Sequence, residues 1–377
     1  MTEPAFGIYV HWPFCQAKCP YCDFNSHVVA QIDHDAWRRA YRAELARIRD
    51  MSGPRNVASV YFGGGTPSLM EPQTVEMILA DIQRHWQMTN DVEITLEANP
   101  TSVEADRFRD YRLGGVNRVS MGIQALNDPD LQRLGRLHSV AEARAAFDIA
   151  RTTFDRVSFD LIYARQDQSL PAWEAELREA LTMAADHLSL YQLTIEPGTA
   201  FGDRFARGGL RGLPDEDLGA DMFQVTQALT AEAGLPAYEI SNHARPGDES
   251  RHNMVYWTGG DYAGVGPGAH GRLTLASGRV ATETETAPLH WLRGALDGNA
   301  PETVSLLSPE DQLGERLMMG LRLRDGIVVD DLPTNYDLTS KINGLIDGGL
   351  LETSAARVRT TERGRPLLNA ILRELLA

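Results

Sequence analysis

Short apolar runs alternate with amphipathic stretches through the first half of the chain. Six runs rich in Val, Ile, Leu and aromatic residues predict strands over residues 6–12, 57–62, 93–99, 118–124, 156–163 and 187–194. Apolar residues at helical spacing lie between these runs and predict helices. Strict strand–helix alternation predicts a parallel sheet with right-handed crossovers. Because no dinucleotide-binding glycine fingerprint is present, we expect an α/β fold with an open (β/α)6 partial barrel.

The alternation breaks near residue 197, where a different organisation begins. We expect a short strand over Ala237–Ser241 and an irregular segment over 272–305 that covers the mouth of the barrel. From Ser308-Pro309, two helices, two short strands and a closing helix over 361–376 predict a small winged-helix-like α+β module. The expected domains are therefore the barrel at 1–235, the covering segment at 236–305 and the C-terminal module at 306–377.

Charge and composition exclude several partners for this 377-residue chain. It carries 36 basic and 52 acidic residues, a formal net charge of -16. Nucleic-acid binding depends on clustered Lys and Arg, so we expect no nucleic-acid partner. No apolar run approaches membrane-spanning length, and Met1 to Phe6 lacks the features of a signal peptide. We expect a cytoplasmic protein.

All three cysteines lie in one stretch with C-x3-C-x2-C spacing, Cys15, Cys19 and Cys22. Three thiolates on a tight loop can bind three irons of a [4Fe-4S] cluster and leave the fourth open to an exogenous ligand. A zinc site completed by His11 or His27 remains an alternative, although zinc knuckles usually have C-x2-C pairs. Three buried structural thiols are a further alternative. An odd number of crowded cysteines argues against disulfides and for a reducing compartment.

Polar and glycine residues follow the other predicted strands at their carboxyl ends. Gly63-Gly64-Gly65-Thr66-Pro67 ends the second strand, where glycines let the backbone approach a ligand closely. Glu97, Gln124 and Asp160 lie at the third, fourth and fifth strands. The carboxyl ends of barrel strands form the active site in (β/α) barrels. We therefore expect these residues and the cysteines to share one site.

The cysteine spacing resembles that of radical S-adenosylmethionine (SAM) proteins, and a narrower resemblance follows from other motifs. The chain is similar to the oxygen-independent coproporphyrinogen III oxidase family in Tyr9-Val10-His11-x-Pro13-Phe14-Cys15, Gly63–Pro67, Gly122-x-Gln124, Arg136 and Asp160–Tyr163. The resemblance implies a radical SAM barrel in which the cluster binds SAM. It also implies the SAM-contacting residues Gly64, Gly65, Thr66, Glu97, Gln124, Arg136 and Asp160, with Tyr9 beside them.

Two departures set the chain apart from the oxidases of this family. The oxidase motif has a further cysteine two positions after the third, and Phe24 stands at that position here. The oxidases also have a longer arm before the first strand. Both departures argue against oxidase chemistry, so we assign no catalytic residue and leave open whether the chain is an enzyme.

The run His252-Asn253-Met254-Val255-Tyr256-Trp257 matches the H-N-x-x-Y-W motif of the HemW-type haem chaperones, the non-oxidase branch of the family. Histidine and tyrosine can both ligate haem iron, and tryptophan offers a flat apolar face. The resemblance implies haem binding by His252, Tyr256 and Trp257. The alternative is a core histidine in an aromatic cluster that anchors a strand, which is common packing.

Three functions compete on this sequence. The favoured one is a haem chaperone that binds a [4Fe-4S] cluster, SAM and haem and passes haem to an acceptor protein. The alternatives are oxygen-independent coproporphyrinogen III oxidase, a step of porphyrin biosynthesis, and a radical SAM methyltransferase. The sequence identifies neither the acceptor nor its membrane association, and it leaves a homodimer open.

Overall fold

The computed structural model describes residues 5–299, 302–332 and 336–377. Its strands are β1 (Phe6–Trp12), β2 (Asn56–Gly64), β3 (Gln87–Ala98), β4 (Arg118–Gln124), β5 (Arg156–Tyr163), β6 (His187–Gln192), β7 (Asn242–Ala244), β8 (Asp261–Val265), β9 (His270–Leu275), β10 (Gly278–Thr284), β11 (Glu302–Leu306), β12 (Ile327–Val328), β13 (Leu351–Ser354) and β14 (Arg357–Thr360).

The α-helices separate these strands. They are α1 (His34–Ser52), α2 (Pro72–His85), α3 (Ser102–Ala105), α4 (Phe108–Leu113), α5 (Asp128–Arg133), α6 (Val140–Thr153), α7 (Leu170–Met183), α8 (Ala200–Ala206), α9 (Glu216–Glu232), α10 (Arg251–Trp257), α11 (Pro288–Leu296), α12 (Pro309–Gly320), α13 (Tyr336–Asp347) and α14 (Leu368–Leu376). Short 3-10 turns lie at Pro67–Leu69, Val329–Asp331 and Arg365–Leu367.

One large sheet organises the molecule, in the order β11-β10-β9-β8-β1-β2-β3-β4-β5-β6-β7. Strands β1 to β6 are parallel and adjacent in chain order, as the alternation predicts. Parallel neighbours end at the same edge; His11 lies opposite Gly63 and Trp12 opposite Gly64. The cysteine loop and the glycine turn therefore leave the sheet side by side.

Apolar side chains from β1 and the surrounding helices form the main core. Trp12 is fully buried against Trp37 and Tyr41 of α1. Trp291 of α11 stacks on Trp37, with ring centroids 5.5 Å apart and planes 11° apart. The apolar face of α1 thus packs on the sheet. Asp33 caps the N-terminus of this helix by accepting a hydrogen bond from the Ala36 amide.

The expectation of an irregular 272–305 segment is wrong. This segment contains most of β9, all of β10 and α11, and most of β11, so the sheet extends beyond β1. Leu273, Val280 and Trp291 bury their side chains in the main core, which explains why the segment is ordered. The expected strand over Ala237–Ser241 is also displaced to β7, because Glu239 accepts hydrogen bonds from the Ser241 amide and the Asn242 side chain in a turn.

The C-terminal module has a separate core and a small antiparallel sheet, β12-β14-β13. Two helices precede the β13–β14 hairpin and α14 closes the module, as the sequence predicts for a winged-helix-like unit. The closing helix is shorter than expected, since Thr361 instead holds a turn by accepting a hydrogen bond from the Gly364 amide. The fold class is confirmed, and the domain boundaries at 235 and 305 stay a proposal.

Within the described part of the chain, no helix is both long and apolar enough to cross a membrane.

Candidate functional site

The cysteine loop leaves β1 and is closed by backbone hydrogen bonds. The Cys15 amide donates to the His27 carbonyl at 2.9 Å, and the His27 amide donates to Pro13 at 2.7 Å. Inside the loop, the Cys22 amide donates to the Cys19 carbonyl at 3.2 Å. All three cysteines are free thiols with partly exposed side chains. The backbone hydrogen bonds therefore hold the three thiols on one closed loop, and none of the three forms a disulfide.

The glycine turn after β2 packs directly on this loop. The Gly65 amide donates to Trp12 at 2.7 Å, and the Thr66 amide donates to Phe14 at 2.9 Å. A Cβ on Gly65 would lie only 2.7 Å from the Phe14 carbonyl oxygen, so glycine is required here. The Thr66 hydroxyl lies 3.5 Å from Cys15 Sγ. Glycine thus brings the turn against the cysteine loop, a role that the sequence did not indicate.

These elements enclose a cavity of about 500 Å³, here called the cluster cavity. It is lined by nearly all the residues that the sequence predicts for the cluster and SAM: Cys15, Cys19, Cys22, Gly64, Gly65, Thr66, Glu97, Gln124, Arg136 and Asp160. Tyr9 is the exception, because it lines a different cavity. The expectation that one site gathers the strand ends is confirmed in geometry, and binding of SAM by these residues stays a prediction.

Arg136 connects the cysteine loop to the strand ends. Its guanidinium donates to Cys19 Sγ at 3.4 Å, to Asn99 Oδ1 at 2.5 Å and to the Gly122 carbonyl at 2.8 Å. Arg136 thus fixes the position of Cys19 Sγ relative to the carboxyl ends of β3 and β4. The sequence missed Asn99, although its position two residues after Glu97 at the end of β3 was the available signal.

Two carboxyl groups face the same cavity and, among the residues that the structure describes, have no basic partner at hydrogen-bond distance. Burial raises the pKa of Glu97 to about 7, although the Tyr61 hydroxyl donates to it at 2.7 Å. Burial likewise raises the pKa of Asp160 to about 6. The Asp160 carboxylate also raises the pKa of Glu97. A positively charged ligand would favour ionisation of both, so the pair suits a sulfonium cation.

Buried polar atoms without partners test whether the cavity fits SAM. Among the residues that the structure describes, Gln124 Oε1 and Arg136 Nε are buried and have no hydrogen-bond partner. Gln124 also has a left-handed backbone, φ 74°, a strained conformation that recurs at functional sites. An acceptor and a cationic donor left unpaired match the hydroxyl and carboxylate groups of SAM. The residues present therefore fit this ligand.

The thiol arrangement also bears on the choice of metal. In the described ranges, no three His, Cys, Asp or Glu side chains are placed to hold one metal ion. A cubane cluster does not require the three thiolates to converge on one ion, because each thiolate binds a different iron atom. His11, one candidate fourth zinc ligand, has its ring nitrogens hydrogen-bonded to the Tyr9 hydroxyl at 3.0 Å and the Asn25 carbonyl at 2.9 Å.

A second cavity of about 1310 Å³ adjoins the cluster cavity; Phe24, Gly64 and Glu97 line both. Its walls come from α10, from β8 to β10 and from α12 of the C-terminal module. The Arg272 guanidinium on β9 forms an ion pair with Glu315 of α12 at 2.7 Å and so joins two walls. The sequence did not predict this cavity, because no motif spacing marks it.

The H-N-x-x-Y-W motif forms helix α10 rather than supporting a strand. Tyr256 and Trp257 line the second cavity, whereas His252 does not. The His252 ring is buried and stacks on Tyr61 with centroids 5.0 Å apart. Its Nδ1 is hydrogen-bonded to Ser59 at 2.9 Å and its Nε2 to Tyr256 at 2.7 Å. Iron ligation by His252 stays a prediction, and this arrangement does not favour it.

Comparison with known proteins agrees with this geometry. Residues 9–169 match the radical SAM superfamily, and residues 307–367 match the HemN C-terminal domain. A solved structure of coproporphyrinogen III oxidase (HemN) from Escherichia coli aligns with a TM-score of 0.81 over 99% of this chain and 90% of that chain. At 22% identity, this likeness establishes the shared fold.

Full-length relatives define the family more narrowly. The chain is 37% identical to the heme chaperone HemW of Escherichia coli strain K12, over 99% of each chain. It is 39% identical to the mitochondrial radical S-adenosyl methionine domain-containing protein 1 of Bos taurus, over 98% of this chain and 87% of that relative. The chain therefore belongs to the heme chaperone HemW family of radical SAM proteins.

Proposed function

We propose that this protein is a cytoplasmic haem chaperone. It holds a [4Fe-4S] cluster and SAM in the cluster cavity, binds haem in the second cavity and transfers it to an acceptor protein. Membership of the radical SAM superfamily implies the cluster and SAM. The observation that carries the haem assignment is the second cavity, which adjoins the first and has the H-N-x-x-Y-W helix as one wall.

The cluster cavity supports the first half of the proposal through its donors. Cys15, Cys19 and Cys22 supply three thiolates, and Arg136 and Thr66 hydrogen-bond two of them. The cluster, when bound, supplies an open iron for SAM and an electron. Gln124 Oε1 is free to accept from a hydroxyl or amine, and Arg136 Nε is free to donate to a carboxylate.

The second cavity supports haem binding by size and lining. Typical small-molecule sites have volumes of roughly 300–1,000 Å³, and this cavity of about 1310 Å³ exceeds them. Tyr256, Trp257 and Tyr262 provide aromatic surface for a macrocycle. The indole N–H of Trp257 is buried and, among the described residues, has no acceptor, so it can donate to a carboxylate such as a haem propionate.

Phe24 separates this proposal from coproporphyrinogen oxidase chemistry. It stands where the oxidase motif has a cysteine and is 59% exposed between the two cavities. An aromatic ring there supplies contact surface and no fourth thiol next to the cluster. The chain's own residues therefore favour holding a flat ligand beside the cluster.

Titration of haem into anaerobically reconstituted protein tests the proposal. We expect a saturable Soret band at one haem per chain, and transfer of that haem to a haem-free acceptor after mixing. The same preparation should not convert coproporphyrinogen III to protoporphyrinogen IX anaerobically with SAM and a reductant. Turnover of coproporphyrinogen, or absence of saturable haem binding, would overturn the chaperone assignment.

A further inference from the structure

The second cavity contains few side chains able to bind haem iron. Its lining includes two histidines, His11 and His270, together with three tyrosines and Met319. His11 is 5% exposed, and both of its ring nitrogens are hydrogen-bonded. It therefore has no nitrogen to offer without breaking the contact between β1 and the cysteine loop.

The tyrosines of the cavity are poor candidates for the same purpose. Tyrosine ligates iron as a phenolate, so a raised pKa opposes it. Burial raises the pKa of Tyr9, Tyr256 and Tyr262. The Tyr256 hydroxyl is in addition occupied by the hydrogen bond to His252. These phenols form walls rather than iron ligands.

His252, the histidine of the H-N-x-x-Y-W motif, is held away from the cavity. Burial lowers the pKa of its imidazole to about 3, and both nitrogens have protein partners. An added Cβ on Gly7 would lie 3.3 Å from this ring, which shows how tightly β1 covers it. To reach iron, His252 would have to leave its place between Ser59 and Tyr256. In its observed place, its Nε2 is hydrogen-bonded to the Tyr256 hydroxyl on the cavity wall.

His270 differs from these residues in access and orientation. It lies on β9, where His270, Arg272 and Thr274 alternate with core residues and line the cavity. Its side chain is 60% exposed, and its Nδ1 lies 3.8 Å from the Glu283 carboxylate on β10. Histidines that bind metals usually direct their second nitrogen to a carboxylate. At 3.8 Å the contact is longer than a hydrogen bond, but it turns Nδ1 toward Glu283, and among the described residues Nε2 has no hydrogen-bond partner.

We propose that His270 is the residue through which this chain binds haem iron, with the H-N-x-x-Y-W helix forming the aromatic wall of the same cavity. The inference rests on the proposed function and assigns its iron ligand to strand β9 rather than to the motif helix α10. Glu283 is then a positioning residue for His270. His252 acts through Tyr256.

The test compares His270→Ala and His270→Gln with His290→Ala in the full chain. His290 is an exposed histidine on α11 outside both cavities, so it controls for loss of a surface histidine. Each variant is titrated with ferric haem while the Soret band and the resonance Raman or EPR signature of axial histidine are followed. Unchanged circular dichroism establishes that each variant is folded.

We expect His270→Ala and His270→Gln to lose the axial histidine signature and to bind haem about tenfold or more weakly. His290→Ala should match the unchanged protein, and added imidazole should restore the histidine signature to His270→Ala. A retained signature and affinity in both His270 variants would overturn the inference while leaving haem binding intact. Absence of haem binding by the unchanged protein would instead overturn the proposed function, and the inference with it.

Discussion

The two cavities share three residues but are built in opposite ways. The cluster cavity gathers side chains from loops at the ends of parallel strands, with buried charges and polar atoms left unpaired, such as Gln124 Oε1 and Arg136 Nε. The second cavity has aromatic walls and an ion pair, Arg272 with Glu315, that joins the sheet to the C-terminal module. The first is prepared for a charged, polar ligand, and the second for a large flat one.

The largest expected effect comes from removing a thiol of the cluster cavity. Cys19→Ala should abolish the visible absorbance and the bound iron of the reconstituted protein, because two thiolates cannot hold the cubane. Gln16→Ala, an exposed change in the same loop, is the control and should retain both. Iron content and absorbance check this expectation, and a normal cluster in Cys19→Ala would contradict the ligand assignment.

The contact between the glycine turn and the cysteine loop gives the next effect. Gly65→Ala places a Cβ 2.7 Å from the Phe14 carbonyl oxygen, so the turn and the loop must separate. We expect a loss of about 1–3 kcal/mol in stability and a lower iron content after reconstitution. Gly344→Ala, at an exposed position of α13 with no atom near the added Cβ, should instead be stabilising by about 1 kcal/mol. Denaturant unfolding compares them, and equal behaviour of the two variants would refute the packing argument.

The carboxyl pair, Glu97 and Asp160, should make SAM binding depend on pH. Because the pKa of Glu97 is about 7, SAM affinity should fall as pH drops below 7, where the carboxyl loses the charge that attracts a sulfonium. Protonation of Asp160, with a pKa of about 6, should deepen the fall. In Glu97→Gln, SAM should bind more weakly at pH 8 and with less pH dependence. Equilibrium dialysis from pH 5.5 to 8.5 measures this, with the exposed Glu232→Gln as control.

The same group has the opposite effect on the stability of the ligand-free protein. The folded pKa of Glu97 lies above its usual value of 4.5, so the folded state binds more protons between these values. Stability should therefore fall as pH rises from 4.5 to 7, and Glu97→Gln should remove this loss, a gain of about 3 kcal/mol at pH 8. A Glu97→Gln protein that is less stable at pH 8 would show that this carboxyl is not held at an energetic cost, and one that binds SAM normally would contradict its part in SAM binding.

The smallest effect concerns Phe24, an exposed residue that lines both cavities. Phe24→Ala should leave the iron content unchanged and weaken haem binding by a few-fold, because an aromatic contact surface is lost. Phe205→Ala, another exposed phenylalanine, lies on α8 outside both cavities and is the control. Haem titration compares the two, and a loss of cluster in Phe24→Ala would place this residue with the cluster instead.

The sequence predicted the cluster cavity better than the second cavity for a physical reason. Parallel strands bring their carboxyl ends to one edge, so Cys15, Glu97 and Asp160 could be placed together from strand order alone. In β9, by contrast, His270 and Arg272 line the second cavity. The alternation of buried and exposed residues in a strand does not show whether the exposed side chains face a cavity or bulk solvent. The partner wall, α12, lies about forty residues later and carries no motif.

The behaviour of His252 illustrates the same limit. A histidine followed by aromatic residues fits both an iron ligand and a buried, hydrogen-bonded core residue, and residue type does not separate them. Only the positions of Ser59 and Tyr256, on β2 and α10, reveal that both nitrogens are occupied. Burial of Leu273 and Val280 likewise makes strands of a segment that we expected to be irregular.

Simultaneous loading of both cavities tests the central claim most directly. Reconstituted protein is saturated with ferric haem, separated from free haem, and analysed for total iron, the Soret band and the EPR signal of the reduced cluster. The account predicts one cluster and one haem on the same chain, with neither displacing the other. Mutually exclusive binding, or haem that takes a thiolate ligand in place of the cluster, would contradict the account of two separate adjoining sites.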